Sequence, residues 1–211
     1  MKCVAQQCSE LEDSFKKVFH AFKEHYKLVP LEVFGKDEYK TLISTVLSSR
    51  TRDETTLKAS LRLFKIASNI KSLSRLSEEE IRNLIYPVGF YKTKAKNLKK
   101  LTQIIQTRFK GKIPDTREKL MTLPGVGRKT ANLVLNRAFG KPAIAVDTHV
   151  HRISNLLGWV KTKTPGDTEK ALTKTVPQKY WPEMNKLFVS IGQQYRSEKK
   201  LKEFLRKNKL I

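Results

Sequence analysis

Apolar residues recur along this chain at spacings of three and four, the period of one helix face. From Ser9 onward, Leu11, Phe15, Val18, Phe19, Phe22 and Tyr26 define an amphipathic helix that Pro30 ends. Asp37 predicts the cap of a second helix running to residue 47, and Asp53 the cap of a third running to residue 64. Ser77 and Glu80 form a capping box before Ile81, Leu84 and Ile85. Pro87 and Gly89 break the chain, and a longer helix follows with Ala95, Leu98, Leu101, Ile104 and Ile105 on one side. Beyond Gly111 and Pro114 the pattern predicts a short helix to residue 121, a glycine-containing turn, and helices over 128–139, 148–157, 167–175 and 182–194. Leu201, Phe204 and Leu205 give the tail a helical stripe of its own, over 198–209. No segment alternates with the two-residue period of a strand, so the expected fold class is all-α, with about ten helices.

Composition narrows the function classes. The 211 residues carry 43 Lys and Arg against 20 Asp and Glu, a formal charge of +23. Such an excess fits a polyanionic partner, above all nucleic acid; a surface adapted to a salty or hot cytoplasm is the alternative. No apolar run reaches the roughly 20 residues of a membrane span, and residues 1–7 hold no secretory-type apolar stretch. An intracellular protein without a membrane partner is therefore expected. The two cysteines, Cys3 and Cys8, read as free thiols, and with the four histidines they form no convincing metal set.

The turn between residues 120 and 130 holds Gly125 and Gly127, and glycine permits positive φ and close backbone approach. The amides of that turn and of the following helix have no intrahelical partners, and the helix dipole favours an anion there. Such a hairpin can grip a DNA phosphate without reading a base. An ordinary helix connection is the plain alternative.

The full string Leu123-Pro124-Gly125-Val126-Gly127-Arg128-Lys129-Thr130-Ala131-Asn132 is more specific, and it resembles the hairpin of the endonuclease III family of helix–hairpin–helix DNA glycosylases. Val146-Asp147-Thr148-His149-Val150-His151-Arg152 resembles that family's catalytic aspartate segment. Looser similarity runs through Leu47-Ser48-Ser49-Arg50-Thr51-Arg52-Asp53 and Val88-Gly89-Phe90-Tyr91, so the resemblance covers about 37–192. It implies that Lys129 is the nucleophile and Asp147 the essential carboxylate. Arg128 and the positive end of the helix both disfavour a second cation at Lys129, and the uncharged amine is the attacking form. Taken alone, Lys129 reads as a solvated or phosphate-binding side chain, and Asp147 as a helix cap.

The same resemblance places Leu123, Gly125, Val126, Gly127, Arg128 and Thr130 on the DNA backbone. Phe90 corresponds to the wedge that enters the base stack, with a core phenylalanine as the alternative. Arg50 stands where many relatives carry a glutamine, which leaves contacts to the opposite base open. Asp53 matches an acidic residue near the pocket and also reads as a simple cap; Thr148 and His149 belong to the same candidate pocket. Many relatives carry four cysteines near the C-terminus that bind a four-iron, four-sulfur cluster. This sequence has none after Gly192, so no cofactor and no metal are expected, and the basic tail is expected to dock and to add Lys199, Lys200, Lys202, Arg206 and Lys207 to a DNA surface.

The architecture implied is two helical domains flanking a DNA cleft. One, 30–141, is a helical barrel with the hairpin at about 115–139; the other joins 1–29 to 142–211. The expected function is a monomeric base-excision glycosylase and abasic-site lyase, acting on double-stranded DNA with oxidised pyrimidines or abasic sites. A mismatch uracil or thymine glycosylase, or an oxidised-purine glycosylase, fits the same motifs. A non-catalytic hairpin module that only grips phosphates is the reading from another class.

Overall fold

The computed structural model describes residues 2–211, with side chains from residue 10 onward. The expectation of free thiols at Cys3 and Cys8 concerns side chains outside the described residues. Among the described residues there are helices and no strands. The chain divides into two compact units, one of residues 30–143 and one of residues 1–29 with 144–211.

The 30–143 unit is built around helix α2 (Glu38–Ser48), whose residues Tyr39 and Thr41 to Leu47 are all buried. A helix buried this fully must be covered on nearly every side, and its Thr41, Ser44 and Thr45 are small enough to pack there. The helices α3 (Asp53–Ile66), α6 (Tyr91–Arg108) and α8 (Arg128–Arg137) pack on it. Asp37 caps α2 by accepting the Lys40 amide at 2.9 Å. Asp53, however, is the first residue of α3, and Arg52 holds the cap position without a side-chain bond. Arginine has no acceptor with which to take a helix amide. The capping box of α5 (Glu78–Ile85) forms between Ser77 and Glu80. A second box, Asn69 with Ser72, starts the six-residue α4 (Ile70–Arg75), which the sequence pattern did not reveal.

The other unit has a core rich in aromatic side chains. Helix α1 (Lys2–Glu24) buries Phe15, Val18, Phe19 and Phe22. Phe22 meets Phe188 of α11 (Trp181–Gln194) at 5.1 Å, Phe15 meets Trp159 edge-on at 4.7 Å, and Phe19 stacks on Tyr180 at 4.5 Å. Each such buried ring contributes roughly 1.5–3 kcal/mol through area alone. The tail forms helix α12 (Glu198–Lys207), with Leu201, Phe204 and Leu205 buried and Tyr195 stacked on Phe204 at 4.4 Å.

Candidate functional site

In the 30–143 unit the hairpin joins α7 (Arg117–Met121) to α8. Leu120, Leu123 and Val126 enter the core, and the Val126 amide donates to the Leu123 carbonyl at 3.1 Å. Leu123 likewise donates to Leu120 at 3.1 Å. Both residues therefore spend side chain and amide inside the hairpin, and what they contribute is the shape of the turn. Arg117 Nε donates to Oδ1 of the buried Asn132 at 2.7 Å, tying the two helices together. Of the two glycines, only Gly125 occupies the left-handed region, with φ +82°; its hydrogen faces Asn97, whose Nδ2 would lie 3.2 Å from an added Cβ. Gly127 is the N-cap of α8 in ordinary extended backbone, and a Cβ there would meet open space. Its lack of a side chain keeps the mouth of the helix accessible. Arg128 and Lys129 are the first two residues of α8, both exposed, and Thr130 is half-buried. The first amides of any helix have no intrahelical carbonyl four residues back to bond.

Two loop tips of the same unit come together beside this hairpin. Arg50, after α2, has φ +52°, and Phe90, before α6, has φ +56°. Non-glycine residues hold this conformation at a cost of about 1–2 kcal/mol. The Arg50 guanidinium lies over the Phe90 ring, 5.3 Å from its centre. Phe90 is 61% exposed, which excludes its being a core phenylalanine. Between the tips and Gly125 lies a cavity of about 220 Å³, with Lys94 and Asn97 in its wall.

In the other unit, Asp147 is the N-cap of α9 (Thr148–Leu156). Its Oδ1 accepts the amides of His149 at 3.0 Å and Val150 at 2.8 Å, and Oδ2 takes no part in the cap. The approach to Asp147 is held by buried Asn185 of α11, whose Nδ2 donates to the Ala145 carbonyl at 2.9 Å. The His149 ring lies against Gly192 so closely that a Cβ there would sit 2.2 Å from Nδ1, so α9 and α11 touch only because residue 192 is glycine. Thr148 is exposed, and Asp53, in the 30–143 unit, is half-buried. Arg152 of α9 donates to the carbonyls of Gly192 (3.4 Å), Tyr195 (3.1 Å) and Arg196, fixing the link into α12.

Asn132 and Arg152 stand in the two motif strings without a role read for them, and Lys94 and Asn185 fall outside those strings. Lys94 and Asn132 carried a signal: each is a polar residue in an apolar helical register, 94-98-101-105 for the first and 131-132-134-135 for the second.

Residues 43–178 match the model for the "HhH-GPD superfamily base excision DNA repair protein". Endonuclease III of Thermotoga maritima is 48% identical over 170 residues, which cover 81% of this chain and 80% of that one. Endonuclease III-like protein 1 of Mus musculus is 45% identical over 74% of this chain, a match spanning 53% of the mouse protein. Among solved structures, a trapped endonuclease III–DNA covalent intermediate superposes with a TM-score of 0.73 at 34% identity, covering 93% of this chain and 88% of that one. A thermostable thymine-DNA glycosylase has the same fold, with a TM-score of 0.77 at 22% identity. The chain belongs to the HhH-GPD superfamily of base excision DNA repair proteins.

Proposed function

We propose that Lys129 and Asp147 form the reaction centre of a glycosylase and lyase that removes oxidised pyrimidines from double-stranded DNA and nicks the strand at the exposed sugar. DNA as partner, and base excision by a glycosylase and lyase, follow from the family. The observation that carries the residue assignment is the exposed position of Lys129 in the first turn of α8, directly after a hairpin open to a phosphate, in a chain whose solved relative was trapped as a covalent intermediate on DNA.

The chemistry runs as follows. The duplex is bent and the damaged nucleotide turned out, at a cost of a few kcal/mol that is least for a weakly stacked lesion. Asp147 takes a proton from the Lys129 ammonium, and the freed amine attacks the sugar C1′. The bond from C1′ to the base breaks, and the base leaves with the electron pair and acquires a proton. Positive character at C1′ in this step is stabilised by the carboxylate, as in glycoside cleavage. Ring opening gives a Schiff base between Lys129 Nζ and C1′. Loss of a C2′ proton then expels the 3′ phosphate by β-elimination, and water releases the lysine. Phe90 and Arg50 fill the space the nucleotide vacates, and the hairpin amides with Arg128 and Thr130 hold the phosphates. Thr148, His149 and Asp53 belong to the surroundings of the base pocket.

No cofactor enters this scheme. The residues after Gly192 supply no thiolate, and the Arg152–carbonyl bonds and docked α12 occupy that stretch, which supports the reading without a four-iron, four-sulfur cluster. The reading extends to a monomer acting inside the cell, where double-stranded DNA, the partner that fits its +23 charge, is found.

Borohydride reduction on a duplex with a single abasic site tests the centre. Wild type should yield a covalent protein–DNA adduct and Lys129→Gln none; an adduct in the variant removes Lys129 from the role. A panel of duplexes, each with one defined lesion, assayed separately for base release and nicking, tests the substrate class.

A further inference from the structure

Lys94 is a cation where the chain should have placed an apolar residue. It lies in the first turn of α6 on the face that continues through Leu98, Leu101 and Ile105, and it is 7% exposed. Its Nζ donates to the carbonyls of Leu47 (2.7 Å) and Ser49 and to Oγ1 of Thr51 (3.2 Å). Three acceptors meet the three protons of an ammonium, and none of the three is a carboxylate. A buried charge without a counter-ion is expensive, and a methionine of similar length would fill the same space without that cost. Burial draws the group down to about 8. The three acceptors explain what is obtained in exchange.

All three belong to the end of α2 and the turn carrying Arg50. The Thr51 hydroxyl oxygen that takes the Lys94 proton also accepts the Gly89 amide at 3.1 Å, across to the loop carrying Phe90. The backbone of Lys94 completes the circuit, because its own amide donates to the Phe90 carbonyl at 3.0 Å. Lys94 thus bonds both loops, one through its side chain and one through its main chain. The loops are pressed together at the same point: a Cβ on Gly89 would lie 2.5 Å from the Arg50 carbonyl oxygen. At the tips, two left-handed residues face each other as a cation over a ring.

We propose that Lys94 is a positioning residue that locks Arg50 and Phe90 into one preformed two-residue wedge, so that the pair enters the base stack as a unit. This rests on the reading of these two residues as the DNA-entering tips. The cost of two left-handed conformations is then met in the folded protein, before DNA arrives, which is the condition for a wedge that spends its contact energy on unstacking. Released from Lys94, each tip relaxes toward an ordinary conformation by itself, and the duplex must order both.

The test separates wedging from chemistry by substrate. A single-stranded oligonucleotide with an abasic site has no stack to open, whereas a duplex with the same site does. Lys94→Met should lower duplex kcat/KM at least about tenfold while single-strand nicking stays within about twofold of wild type. With 2-aminopurine opposite the abasic site, wild type should raise the emission as that base is unstacked, and the variant should lose most of the rise. Should Lys94→Met fold poorly, Thr51→Val removes the relay between the loops and keeps the cation; it should show the same split. Equal losses on both substrates, or an undiminished emission change in a folded variant, overturn the proposal. The emission signal needs no lyase chemistry, so a wild type that forms no borohydride adduct would count against Lys129 and leave the wedge measurement standing.

Discussion

Asp147→Ala removes both amide bonds at the head of α9 together with the carboxylate, whereas Asp147→Asn keeps an oxygen where Oδ1 stands and removes only the charge. The pair therefore divides the two jobs assigned to this residue. Oδ1 takes the His149 and Val150 amides at 3.0 and 2.8 Å, and loss of such a cap costs about 1–2 kcal/mol. In a chain of this length that lowers Tm by roughly 2–8 °C. Asparagine is as good a cap as aspartate, so its Tm should stay within about 1–2 °C of wild type. Activity should order differently. Both variants lose the group that accepts the Lys129 proton, and single-turnover base release on a lesion-bearing duplex should fall by roughly a hundredfold or more in each, general-base catalysis being worth about that much. Thermal unfolding and single-turnover kinetics on the same preparations give both numbers. If Asp147→Asn retained more than about a tenth of wild-type base release, the cap would be the residue's whole contribution and the carboxylate chemistry would be refuted.

Gly125→Ala forces a Cβ into φ +82° and to 3.2 Å from Asn97 Nδ2; a stability loss of about 1–2 kcal/mol by urea titration and weaker binding to an undamaged duplex are expected. Gly192→Ala drives a methyl to 2.2 Å from the His149 ring and should destabilise by about 1–3 kcal/mol, with loss of activity because α9 carries Asp147. Since Lys94 sits at about 8 in the fold against 10.5 when exposed, the unfolded chain binds more protons between those values, and stability relative to Lys94→Met should rise with pH across them, by at most about 3 kcal/mol. Over the same interval a neutral amine has only two protons for three acceptors, so the ratio of duplex to single-strand nicking, in which the protonation of Lys129 cancels, should fall as stability climbs; a ratio that stays constant would contradict the positioning role.

The helical pattern was plain in the sequence wherever a long apolar stripe met a cap. Asp37, the Ser77–Glu80 box and Asp147 head helices within a residue of where spacing put them. Helix α4 escaped because six residues show less than two turns of period, although its Asn69–Ser72 box was visible in principle. Asp53 was misplaced by one residue because the cap position fell to Arg52, which no propensity favours. The site divides in the same way. The hairpin and the aspartate segment were legible as strings, but strings do not say that Leu123 and Val126 face inward or that Gly127 needs no special φ. The partnership of Arg50 with Phe90 depends on two left-handed residues far apart in sequence, and only folding brings them within 5.3 Å.

Residues 1–29 and 144–211 close a single body around the aromatic cluster of Phe15, Phe19 and Phe22 with Trp159, Phe188 and Phe204. During synthesis α1 emerges before the rings that cover it, with a compact unit made in between. The ribosome therefore releases an amphipathic helix that must wait through more than a hundred residues of translation for its partners. Deleting α12 should uncover the end of α1 where Phe22 and His25 meet Phe204, while Phe15 and Phe19 keep their cover from Trp159 and Tyr180.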